Sequence, residues 1–177
     1  MNEDSLLRYA DERDKSYGIA GMTITPGGGR ADDLLAEINL DAEPADALVM
    51  SHDFGFRGNP RMSAKIVWSQ ALDELRTTTS MALGNIVCRR YVLARRGLSK
   101  EDTEAIRSAV RSEAAAHCSL DTDEADALFE RALATVDRIF RHSVVHDAAR
   151  QFANELSARR SMSAHEAVEL LASFGLR

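Results

Sequence analysis

Several features are scarce in this chain of 177 residues, and each scarcity excludes something. There are only two cysteines, Cys88 and Cys118, and they form no Cys-x-x-Cys pair. A structural disulfide or a thiolate zinc site therefore lacks its framework, and both thiols are expected to be reduced and mostly buried. No apolar run approaches the ~18 residues a membrane span needs. The first residues, MNEDSLLRYADERDK, lack the basic-then-apolar layout of a secretory signal. Together these predict a cytoplasmic protein with no membrane contact. Positive charge is also short. A net charge of −6 opposes the generic attraction to phosphate backbones, so nucleic acid is not the expected partner.

What the chain does have is helix grammar. Apolar residues make up 45% and charged residues 28%, the balance of a globular protein, and the length suits one domain over 1–177. The expected fold is mainly α: a bundle of about five to six helices in a body over 59–177. A less regular segment, 1–58, packs on it and holds a short β-hairpin. In the body, Asn59 can cap a helix with Pro60 at its first position. Ala64, Trp68, Ala71, Leu72, Leu75, Ala82, Leu83, Ile86 and Leu93 share one face at about 100° per residue. The phase predicts one helix over 61–96, ended by Gly97 and weakened near TTTS (77–80) and Gly84. Straight, it would be about 50 Å long, against about 40 Å for a globule of this size. It should protrude, bend or be covered by another subunit, and a homodimer is preferred.

Three later helices open with the same signal. Ser99 with Asp102, Asp121 with Glu124, and Ser163 with Glu166 each follow an apolar residue, the layout of a capping box with a hydrophobic staple. Helices are predicted over 100–117, 122–141, 144–159 and 164–174. In the first 58 residues the pattern predicts an acidic helix over 3–14, a short strand in YGIAGMTIT (17–25), a break at PGGG (26–29) and a helix over 30–38. EPADALVMS (43–51) reads equally as helix or strand, and SHDFGFRGNP (51–60) as a loop.

Candidate chemistry is sparse. His142 and His146 stand four apart with Asp147 following, the spacing that lets two imidazoles on one helix face share a divalent metal. The glutamate base of His-Glu-x-x-His is missing, since Ser143, Val144 and Val145 intervene. The apolar stripe also rotates by about 180° between the segment ending at Phe140 and the one starting at Val145. A turn at Arg141–Ser143, with Ser143 as the next cap, resolves that conflict and breaks the histidine pair. His52-Asp53 and His146-Asp147 resemble the doublet of metal-dependent phosphohydrolases, which need further histidines besides.

TITPGGGRADD has the order strand, glycine loop, helix, but Asp32 and Asp33 would face any phosphate, so a connector is expected. Arginines gather at predicted helix ends: Arg89, Arg90, Arg95, Arg96, Arg138, Arg141, Arg159 and Arg160. That placement suits the helix dipole better than a nucleic-acid footprint. In the 51–61 loop, Phe54 and Phe56 flank a glycine beside Arg57 and Arg61, an apolar anchor with cations for a binding partner.

The stretch GLSKEDTEAIRSAV…SLDTDEADALFERAL (97–133) is similar in cadence to the TerB-like tellurite-resistance helical domains, which pair short caps with acidic helix starts. Those domains carry an Asp-Gly before the first cap where this chain has Arg96-Gly97, so their acidic metal site does not carry over. The expected function is protein binding or self-association by a small helical protein, with no cofactor. The alternative is a metal-dependent hydrolase built on His142, His146 and Asp147.

Overall fold

The largest departure from the sequence pattern lies near the amino terminus. In the computed structural model, which describes residues 8–26, 31–51 and 64–176, YGIAGMTIT is helix rather than strand. Helix α1 spans Glu12–Ile24, and its cap is Asp11, whose carboxylate accepts the Asp14 N–H at 2.7 Å. The acidic residues placed in a helix over 3–14 are thus partly the first turn of a later one; Arg8–Asp11 are not helical, and residues 1–7 lie outside the described set. Every residue from Ser16 to Ile24 is buried, because α1 is enclosed by neighbours. A helix buried all round has no polar face, and so gives no 3.6-residue period to read.

Helix α2 (Ala31–Leu34) is a single turn that passes directly into strand β1 (Leu35–Asn39), which corrects the helix expected over 30–38. A 3₁₀ turn at Pro44–Asp46 then leads to β2 (Leu48–Met50). The expected hairpin therefore exists, but it is built from 35–50. A third strand, β3 (Ser161–Ser163), pairs with the other edge of β1, giving the antiparallel order β2-β1-β3. Ile38 faces Leu48 on one side and Met162 on the other; Ile38 and Met162 are buried.

The long helix is present. Helix α3 (Ala64–Val87) runs without a break into a π-helical turn, Cys88–Leu93. There the Ala94 N–H bonds the Arg89 carbonyl and the Arg96 N–H the Arg90 carbonyl, five and six residues back. The chain leaves the helix at Arg95, in the left-handed conformation at φ 52°, and not at Gly97, around which a side chain would meet nothing.

Four helices follow: α4 (Lys100–Cys118), α5 (Thr122–Phe140), α6 (Ser143–Arg159) and α7 (Ala164–Ser173). All three capping boxes are closed in both directions. The α5–α6 break falls at Arg141–His142 as the rotated stripe required. The cap is His142, however, and it makes no side-chain cap bond; Ser143 is already helical. Phe129, Phe140 and Phe152, all fully buried, fill the centre with Ile19, Leu83 and Leu156. Among the described residues, no helix is long and apolar enough to cross a membrane.

One cap also sets a pH response. Asp102 accepts the Ser99 N–H and two bonds from the Arg90 guanidinium, at 2.9 and 2.7 Å. The Arg90 bonds, then those from Ser99, outweigh partial burial and hold its carboxyl at about 2, against an ordinary 3.8. As pH falls, the unfolded chain takes up this proton first. The stabilisation is therefore complete above about pH 4 and is lost as pH falls to about 2. Chemical unfolding at about pH 5 and about pH 2 is expected to show the protein losing about 2 kcal/mol more than Asp102→Asn does.

Candidate functional site

The direction of the helices decides which surfaces meet. The Trp68 indole N–H donates to the Cys118 carbonyl at 2.9 Å, and Arg90 reaches Asp102, so α3 and α4 are antiparallel. Arg111 pairs with Asp126 and Arg107 with Glu130, so α4 and α5 are antiparallel too. Helices α3 and α5 therefore run the same way, and between them lies an open groove of about 650 Å³. Leu72, Leu120, Leu128 and Ala132 form its apolar lining. Trp68 stands at one end, 46% exposed although its indole is fixed by the Cys118 bond. An aromatic ring held in one orientation, with much of its area in water, is the usual anchor of a protein contact.

Charge divides along α5. The carboxylates turned to α4, Asp126 and Glu130, are engaged by Arg107 and Arg111. On the groove side, exposed Asp123 and Arg131 form no ion pair among the described residues; the Arg131 Nε–H donates only to the Ala127 carbonyl, 3.0 Å away. Exposed Ala127 lies midway between them.

No family model, curated protein or solved structure matches the chain. The TerB-like cadence rests on the capping boxes, which the structure explains as local helix starts.

The histidine pair is not brought together as a site. His142 is the exposed cap residue of α6, whereas the His146 ring is turned back onto the end of α5, its Nε2 lying 2.6 Å from the Phe140 carbonyl. Asp147 pairs with Arg150 at 2.8 Å. No three His, Cys, Asp or Glu among the described residues are grouped as a metal site would require. His52, Asp53, Phe54, Phe56, Arg57 and Arg61 lie outside the described residues, as does most of PGGG.

The terminal arginines are mostly engaged. Arg141 pairs with Asp137 at 2.5 Å and Arg159 with Glu155 at 3.1 Å. Arg160, at φ 71°, clasps Glu12 and Asp41 and so ties α1 to the turn after β1. Its hydrogen bonds hold both carboxyls below their ordinary range. Arg89 and Arg90 line a second cavity of about 970 Å³ with Arg8 and Arg96, but Glu101, Asp102 and Glu104 line it as well. Arg89 is neutralised by Asp14 and Arg90 by Asp102, so the charges balance. Cys88 and Cys118 are free and buried. Burial pushes both thiols up, and near Cys118 the Glu74 and Glu113 charges add to it, which disfavours the reactive thiolate.

The sequence pattern assigned Trp68 and Leu72 to the inward face of α3. The structure puts Leu72 half inside and Trp68 nearly half outside. The readable signal was Ala127 between unlike charges on α5, a small residue at an exposed position.

Proposed function

We propose that the chain is a small cytoplasmic helical protein that works by association rather than catalysis, through the α3–α5 groove. The observation that carries this reading is Trp68, pinned by Cys118 at the end of an apolar groove and 46% exposed. Desolvating that ring and the leucines beside it contributes about 25 cal/mol per Å² of apolar area covered. The two buried, unpaired cysteines support a reducing compartment.

Trp68 is the single tryptophan, so its fluorescence reports on the groove directly. As protein concentration rises, its emission is expected to shift to the blue and its quenching by acrylamide to fall, in step with a rise in sedimenting mass. Ala127→Glu, at an exposed position, should abolish all three changes and leave the far-ultraviolet circular dichroism intact. Emission and mass independent of concentration would refute the reading.

A further inference from the structure

We infer that the groove receives a second copy of the chain, the two α5 helices crossing antiparallel about a two-fold axis at Ala127. This rests on the groove reading above and adds the partner and its orientation.

The argument is one of symmetry. Asp123 lies four residues before Ala127 and Arg131 four after it, so the three share a helix face at intervals of about 6 Å. In a two-fold contact each pairing occurs twice, with the roles of the copies exchanged. An axis at Ala127 therefore sets Asp123 of one copy against the partner's Arg131, and Arg131 against the partner's Asp123. A parallel arrangement would instead set like charge on like. The methyl group at the crossing point lets the two backbones come close, and α5 of each copy then lies in the other's groove, over Leu72 and beside Trp68. The other α5 carboxylates nearest this stretch, Asp126 and Glu130, are already held by α4, which leaves Asp123 and Arg131 as the complementary pair.

The test is sedimentation velocity over a concentration series. Asp123→Lys and Arg131→Asp should each weaken the dimer by about tenfold or more, because each sets like charges opposite one another at two symmetric places. An equimolar mixture of the two should recover it as a heterodimer. There the introduced lysine of one copy meets the introduced aspartate of the other, and the unaltered Arg131 meets the unaltered Asp123. Both substitutions are at exposed positions, and thermal melts of each variant verify the fold. If both single variants associate like the unaltered chain while Ala127→Glu does not, the two-fold arrangement is wrong and the groove reading stands. A mixture that stays dissociated also overturns the pairing. If the unaltered chain shows no association, both readings fall.

Discussion

Gly21→Ala is expected to lower the melting temperature by about 10 °C, the equivalent of about 3 kcal/mol in a chain of this length. Where α1 crosses α3, the backbones at Gly21 and Gly84 touch. A Cβ on Gly21 would collide with the Gly84 carbonyl oxygen and lie 2.6 Å from both the Gly84 carbonyl carbon and the Cys88 Cβ. Those are backbone atoms and a fully buried side chain, so neither gives way cheaply. The Gly21 carbonyl also accepts the Thr25 N–H at 3.2 Å and hydroxyl at 2.6 Å, which fixes its own position. Alanine gains about 1 kcal/mol of helix propensity over glycine, and the clash outweighs that gain. Gly84→Ala, blocked by Thr25 and by the Gly21 carbonyl 2.6 Å away, should behave alike. Differential scanning calorimetry decides it: a melting point unchanged or raised would mean the helices do not cross so closely.

Asp14→Ala is expected to cost about 3–5 kcal/mol, the usual penalty for removing one partner of a buried ion pair. The Arg89 guanidinium grips Asp14 with two bonds, at 2.7 and 2.5 Å, and both side chains are almost 90% covered. Burial alone would raise the Asp14 carboxyl, but bonds from Arg89 and the Ala10 N–H outweigh it and lower it. Around the pair, Arg89 stacks on Tyr9 at 4.8 Å, and Asn85 joins the Tyr9 hydroxyl at 2.8 Å. Without Asp14 a full charge stays buried beside groups that only partly solvate it. Asp14→Leu with Arg89→Met removes both charges and should cost less than the two single losses added together. Urea unfolding of the four members of this cycle measures the coupling. Strict additivity would show the pair to be unimportant.

What could be read in advance was what is decided locally. The three capping boxes, the four helices from Lys100 to Ser173 and the break after Phe140 depend on residues within a turn or two of each other, and they stand where the pattern put them. What misled was decided by distant partners. YGIAGMTIT has the small and β-branched residues of a strand, and only enclosure by α3, α6 and the π-helical turn makes it a helix. Leu35–Asn39 has helical composition, yet it becomes a strand because Leu48–Met50 and the distant Ser161–Ser163 supply hydrogen bonds on both edges. The site was half legible. The α3 stripe named Trp68 and Leu72, but periodicity shows which residues share a face and not what lies opposite. The charge asymmetry of α5 emerges only once Arg107 and Arg111 are seen to take Asp126 and Glu130.

The widened turn at Cys88–Leu93 makes chain length there as constrained as residue identity. It delivers two neighbouring arginines to separate helices, Arg89 to Asp14 on α1 and Arg90 to Asp102 on α4. Excising one residue would restore ordinary winding but swing whatever follows by about 100°, stranding one guanidinium or the other. Homologues with a gap at this point should therefore have lost an arginine–aspartate pair as well.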